Sequence, residues 1–257
     1  MTPAPSDFTF EPIFLVLPLA AAFLYARAVH GKPVSRSRAA LFGLGLLLVA
    51  GALNSPLETL AAHYLLLFHL LQNVIISDWA PPLLVLGLTP AMRAGLRRRG
   101  GRALEVVTRP RIALPLWLIG WYGVHLAAVY DVALEHPWAL NLEHAFLIAI
   151  GLVFWWPVFE PEPRRLPTPL ALGYLFAAFA LSAFLGLALT FSSTPFYDFY
   201  AEAPRLWGLS AAKDQNLGGI LMNVEQTIVF LAALIWFLLR LLDEEDEAQR
   251  ALERTDP

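Results

Sequence analysis

Seven apolar stretches, each close to the length of a membrane crossing, follow one another along the chain and are separated by short polar segments. They comprise residues 10–29, 39–53, 63–88, 112–130, 140–159, 169–191 and 216–242. About 20 predominantly apolar residues in an α-helix span the hydrocarbon core of a bilayer. A helix also satisfies its backbone polar groups internally, as lipid requires. The pattern therefore predicts an all-α integral membrane protein, a bundle of seven transmembrane helices.

The basic residues give the expected orientation of these helices. With seven crossings, sixteen of the 18 Lys and Arg residues fall on the side of the C-terminus, and only Arg205 and Lys213 fall on the other. Cytoplasmic loops carry an excess of Lys and Arg. We therefore expect the N-terminus outside and the C-terminus in the cytoplasm, with a transmembrane domain over residues 1–242 and an acidic cytoplasmic tail over residues 243–257.

Composition narrows the class of protein further. Hydrophobic residues make up 58% of the chain and charged residues 15%, whereas soluble domains carry about 25% charged residues. The chain has no cysteine, which excludes disulfides and thiolate metal sites. A net charge of −3 without an external basic patch argues against nucleic acid as a partner. No hydrolase or phosphate-binding motif is present, so we do not expect an enzyme.

Four predicted helices place an imidazole or a thioether at similar depth. His69, His125, His144 and Met222 lie about 6–12 Å below the outer ends of their spans at the helical rise per residue. His63 lies nearer the water, as an outer entrance residue. Imidazole and thioether donors without thiolate suit copper. The alternative is that each histidine hydrogen-bonds a neighbouring helix and only fixes packing.

Polar residues accompany this histidine band. Gln72 and Asn73 follow His69 at positions i+3 and i+4, so the three project from one stripe of the helix. Glu143 precedes His144. We expect Glu143 to orient an imidazole, because metal-bound histidines usually donate to such a partner.

Two further carboxylates fall inside predicted spans. Asp78 lies close to Pro81 and Pro82, and Glu225 lies in the last span. A charged residue at the bilayer centre is costly and calls for a partner. We expect an interhelical network that joins the third and seventh spans, with a proton path as the alternative.

Aromatic residues mark the two membrane surfaces. The longest external segment, residues 192–215, is expected either to cover the histidine band as a lid or to form an aromatic belt. Its aromatic residues are Phe196, Tyr197, Phe199, Tyr200 and Trp207. Trp155 and Trp156, at the inner end of the fifth span, are predicted to be belt residues.

The chain resembles the multi-spanning CtaG-like cytochrome c oxidase assembly factors over roughly residues 54–240. The shared motifs are His69-Leu-Leu-Gln72-Asn73, Ala80-Pro81-Pro82-Leu-Leu-Val-Leu-Gly87, His125 with Tyr130-Asp131, Leu142-Glu143-His144, Phe154-Trp155-Trp156-Pro157, Thr194-Pro195-Phe196-Tyr197 and Asp214 through Met222. The resemblance implies a seven-helix protein of the bacterial cytoplasmic membrane that serves haem-copper oxidase maturation. It also implies copper delivery, an oxidase subunit and membrane lipid as partners, and Asp214 as a member of the polar network.

The chain departs from the family pattern at one position of the histidine motif. Where the family has a second histidine, this chain has Asn73, which is a poor copper ligand. A non-metal transporter, or a lipid- or haem-binding protein on the same scaffold, therefore remains an alternative function. Bis-histidine haem ligation would use His125 with His144.

Overall fold

A computed structural model describes residues 3–161 and 164–255, and all regular secondary structure within these ranges is helical. The helices are α1 Ile13–Val29, α2 Arg36–Leu53, α3 Pro56–His63, α4 Leu66–Val74, a π-helical segment Ile75–Trp79, α5 Ala80–Gly87, α6 Pro90–Val107, α7 Pro110–Val124, α8 Ala127–Glu135, α9 Pro137–Trp155, α10 Thr168–Phe191, α11 Asp198–Glu202 and α12 Ala211–Thr255. The predicted acidic tail continues α12, and its last two residues, 256 and 257, lie outside the described residues.

The length and apolar character of the helices support a multi-pass membrane protein. Among the described residues, five segments are long and apolar enough to cross a bilayer: α2, Leu66–Gly87, α9, α10 and α12. The pair α7 and α8 forms a sixth only if its 67° bend lies within one span. Helix α1 is apolar but has 17 residues. The all-helical membrane class is therefore confirmed, while seven crossings and their orientation stay predictions.

The predicted third span differs from one regular helix at two places, which are a break and a π-helical segment. The break comes first. Helix α3 ends at His63, and the apolar span begins at Leu66 rather than at residue 63. The second place is the π-helical segment, which leads directly into Pro81 and Pro82 in the first turn of α5. Proline has no backbone N–H, and a helix start tolerates this because those N–H groups lack intrahelical partners. The chain therefore changes its hydrogen-bond pattern beside Asp78.

The predicted fourth span, residues 112–130, is not one helix. Helix α7 stops at Val124, and His125 occupies its C-terminal cap. The imidazole Nδ1 lies 2.7 Å from the Trp121 carbonyl oxygen, and the Tyr197 hydroxyl donates to the His125 carbonyl at 3.1 Å. In a continuing helix, backbone N–H groups four residues later would donate to the Trp121 and His125 carbonyl groups. Here side chains contact these carbonyl groups instead. The chain turns at this point and restarts as α8.

Close backbone approaches hold the helices together. A Cβ on Gly219 would lie 2.6 Å from the Gly186 carbonyl oxygen, which reports tight packing of α12 on α10. Small residues permit such approaches in membranes. The prediction that Trp155 and Trp156 lie in an interfacial belt is wrong, because both are buried against neighbouring helices. The sequence pattern of a single span does not show which neighbouring helices cover its residues.

Candidate functional site

The three histidines predicted to share a depth meet in one buried cluster. His69, His125 and His144 are each at most 5% exposed. The rings of His69 and His144 lie 5.9 Å apart. The ring of Tyr130 stacks on both His69, at 4.7 Å, and His125, at 5.5 Å. The cluster therefore connects α4, the end of α7, α8 and α9.

Glu143 and Asn73 lie against one edge of His69. The Glu143 Oε1 is 3.4 Å from His69 Nε2. The same oxygen accepts a hydrogen bond of 3.2 Å from Asn73 Nδ2. The carboxylate predicted to orient an imidazole is thus placed beside His69 rather than beside its sequence neighbour His144.

The other ring nitrogen of His69 faces a tyrosine of the external segment. His69 Nδ1 lies 2.9 Å from the Tyr200 hydroxyl oxygen, and this hydroxyl donates to the Ala61 carbonyl. A tyrosine hydroxyl has one proton to donate, so its oxygen accepts from His69 Nδ1–H. The other ring nitrogen, Nε2, faces the Glu143 carboxylate.

Several polar atoms of the cluster have no protein hydrogen-bond partner although they are buried. They are His69 Nε2, Asn73 Oδ1, His125 Nε2, Tyr130 OH, Glu143 Oε2 and both ring nitrogens of His144. Buried polar atoms in proteins are nearly always bonded, so this concentration is compatible with a bound cation. Within residues 3–161 and 164–255, however, no three His, Cys, Asp or Glu side chains already converge on one metal position.

Met222, the predicted thioether donor, is fully buried on α12. It belongs to the same hydrophobic core as Tyr130, whose ring stacks on His69 and His125.

Gln72 points away from the histidines toward a carboxylate that the sequence analysis missed. Its Nε2 donates to Glu58 Oε2 at 2.7 Å and to the Ala52 carbonyl at 2.6 Å. Glu58 is 1% exposed on α3, and burial raises its pKa to about 7. It lies three residues after Ser55, a spacing typical of a solvent-facing capping box. That pattern gave no indication of burial.

The remaining predicted polar residues lie at the ends of helices. Asp214 accepts from the backbone N–H groups of Leu66, at 2.9 Å, and Leu67, at 3.1 Å. It therefore caps α4 from another helix, because Leu65 at the cap position supplies no side-chain acceptor. His63 is half-buried at the last position of α3.

The intramembrane carboxylates behave differently from each other. Asp78 is buried and accepts a hydrogen bond of 2.9 Å from Gln226 Nε2. Glu225, which we expected in this network, makes no hydrogen bond or ion pair to a described residue and is partly exposed. Successive residues of a helix point about 100° apart, so α12 can present only one of these two side chains to Asp78.

The external segment covers the histidine cluster through two of its aromatic residues. Tyr197 and Tyr200 are at most 2% exposed, whereas Trp207 is 69% exposed. Asp131 of α8 anchors the segment by accepting from the backbone N–H groups of Phe199, at 3.2 Å, and Asp198, at 3.4 Å. The part of the segment with Tyr197 and Tyr200 therefore covers the cluster, and the part around Trp207 faces the surface.

Comparison with known proteins gives one family and three relatives. A family model described as cytochrome c oxidase caa3 assembly factor matches residues 19–244. Uncharacterized proteins of Mycobacterium bovis and Mycobacterium tuberculosis are each 31% identical over 171 residues, and one of Mycobacterium leprae is 27% identical over 171 residues. The matched stretch covers 59% of this chain and 26% of each relative.

No solved structure matches the chain. The family match covers most of the helices and the entire histidine cluster. The chain belongs to the family of cytochrome c oxidase caa3 assembly factors.

Proposed function

We propose that the protein is a non-catalytic assembly factor of the bacterial cytoplasmic membrane that handles cuprous ion as cargo for an oxidase subunit. Family membership supports the assembly role. The observation that carries the copper proposal is the buried cluster of unpartnered imidazole nitrogens around His69, His125 and His144. Imidazole suits copper, and a thioether such as that of Met222 favours its cuprous state.

The pair of His69 and Glu143 accounts for affinity toward a cation. The Glu143 carboxylate oxygen Oε1 lies 3.4 Å from His69 Nε2, and both side chains are buried. A carboxylate in a low-dielectric site attracts a positive charge strongly. On this proposal, a cuprous ion enters beside His69 Nε2, and the Glu143 carboxylate balances its charge.

The external segment suggests how the cargo would be exchanged. Tyr200 covers His69, so an ion reaches the cluster from outside only when this tyrosine withdraws. A partner that binds the exposed part of the segment around Trp207 could favour the withdrawal of Tyr200 from His69. On this proposal, the oxidase subunit docks over the external segment.

Cuprous-ion titration of the purified full chain tests the proposal. We expect weak but measurable binding by the wild type and at least about tenfold weaker binding after His69→Ala or His144→Ala, because each removes a soft donor. His136→Ala is the matched control, since His136 is exposed outside the cluster. Binding unchanged by the cluster variants, or equally reduced by the control, contradicts the copper proposal.

Asn73→His tests the departure from the family motif. Asn73 and His69 lie one turn apart on α4, so an added imidazole can reach the same ion. We therefore expect Asn73→His to raise copper affinity. If neither protein binds copper while the purified protein itself carries a haem Soret band, the haem-binding alternative replaces the copper proposal.

A further inference from the structure

A large open cavity lies at the opposite end of the bundle from the histidine cluster. Its volume is about 1630 Å³, and it is lined by residues of α1, α2, α5, α6 and α9. The lining is predominantly apolar and includes Leu24, Leu46, Leu84 and Ala149. A cavity of this size exceeds the 300–1,000 Å³ typical of drug-sized ligands.

Among the residues that the structure describes, the charged side chains around this cavity are all basic. Arg27, Lys32, Arg98 and Arg99 line it, and no Asp or Glu of residues 3–161 and 164–255 does. Among the described residues, Arg27, Arg98 and Arg99 have no acidic partner. An apolar cavity with an unneutralised basic rim is complementary to a molecule with apolar chains and an anionic head.

A neighbouring pocket, which shares Arg98 with the large cavity, contains both signs of charge. Its volume is about 630 Å³. Arg97 of α6 pairs there with Glu160 at 2.7 Å, and Arg164 lies 3.6 Å from Glu105. Among the described residues, carboxylates therefore line the smaller pocket but not the larger cavity.

We propose that the large cavity binds one anionic phospholipid, with its acyl chains among the apolar residues and its phosphate at Arg98 and Arg99. Guanidinium groups bind phosphate through paired, charge-assisted hydrogen bonds. A zwitterionic lipid also carries an ammonium group, for which the described part of the lining offers no carboxylate. The site selects an anionic headgroup for that reason, and it is independent of the copper proposal.

Native mass spectrometry of the detergent-purified full chain tests this site with two probes. The probes are phosphatidylglycerol and phosphatidylcholine with identical acyl chains. We expect phosphatidylglycerol to bind at least about tenfold more tightly, given the attraction of each basic residue for anionic lipid. Equal binding of the two lipids overturns the proposal.

Paired arginine variants locate the headgroup. Arg98→Ala/Arg99→Ala is expected to remove the preference for phosphatidylglycerol. The matched control is Arg109→Ala/Arg111→Ala, which removes two exposed arginines that do not line the cavity. An equal loss in both double variants would show general surface attraction and overturn the assigned site.

Cavity-filling variants locate the acyl chains. Ala149→Phe, with Leu46→Trp as a second variant on another helix, is expected to weaken binding of both lipids by about tenfold, because filling excludes the chains. Each variant is first checked for wild-type helicity and thermal unfolding. Unchanged lipid binding in a folded cavity-filling variant, or equal binding of glycerophosphoglycerol without acyl chains, overturns the proposal.

Discussion

Tyr200 and Glu143 contact His69 at its two different ring nitrogens. The Tyr200 hydroxyl oxygen lies 2.9 Å from Nδ1, and Glu143 Oε1 lies 3.4 Å from Nε2. Contacts at both nitrogens fix the orientation of the ring within the cluster. The chemistry of the cluster therefore depends on two side chains from α9 and from the external segment.

Tyr200→Phe tests this arrangement at the residue scale. We expect a loss of about 1 kcal/mol of stability, the usual net value of one hydrogen bond. Thermal unfolding in detergent gives the stabilities of the wild type, Tyr200→Phe, His69→Ala and the double variant. These four stabilities are compared in a double-mutant cycle. Coupling between the two changes supports the bond, whereas simple additivity would show that the hydroxyl contributes through Ala61 alone.

Glu58 gives the protein a pH dependence outside the membrane spans. Burial raises its pKa from the ordinary 4.5 to about 7, although the hydrogen bond from Gln72 lowers it in part. A carboxyl with a raised pKa binds more protons when folded, so its contribution is fully present below about pH 4.5 and is lost as the pH rises through 7.

We therefore expect the wild type to lose stability between about pH 4.5 and 7. Glu58→Gln keeps a neutral acceptor for Gln72 and should flatten this dependence. Glu202→Gln is the control, since Glu202 is exposed. The measurement is the midpoint of unfolding at a series of pH values across this range. If the midpoint depends on pH equally in the wild type and in Glu58→Gln, Glu58 is not the source of the pH dependence.

At the scale of elements, α9 approaches the π-helical segment closely at Gly151. A Cβ on Gly151 would lie 2.3 Å from the Ser77 carbonyl oxygen and 2.7 Å from Pro81 Cγ. The first of these is backbone and cannot move like a flexible side chain. Glycine at this position lets α9 pack directly on the irregular part of the third span.

Gly151→Ala should therefore destabilise the protein by about 1–3 kcal/mol, the range for overpacked cores. Gly173→Ala is the matched helical control, because its Cβ would meet nothing within 4 Å. The control should be neutral or stabilising by up to about 1 kcal/mol, since alanine favours helix over glycine. Similar unfolding temperatures for both variants would rule out the close approach.

At the scale of the whole molecule, the asymmetry of basic residues predicts the orientation in the membrane. Alkaline phosphatase fused after Glu135 should be active, and a fusion after Arg165 should be inactive, if the chain crosses seven times with its N-terminus outside. The reverse activities would indicate six crossings and would move the histidine cluster to the cytoplasmic half.

The sequence alone determined where most helices lie and which of them carry the histidines. This follows because a bilayer demands apolar runs of fixed length and because polar residues within such runs are few. It also led to the family, which the match over residues 19–244 confirmed.

Only the tertiary structure decided how each helix is rotated and where it bends. In the structure, Gln72 hydrogen-bonds Glu58, and Gln226 rather than Glu225 hydrogen-bonds Asp78. Helix α7 ends at Val124, with His125 at its C-terminal cap. These outcomes depend on partners far away in the chain, such as Tyr200, which lies 131 positions from His69. The periodicity of one apolar span cannot reveal such partners, because all faces of a membrane helix are apolar whether they meet lipid or protein.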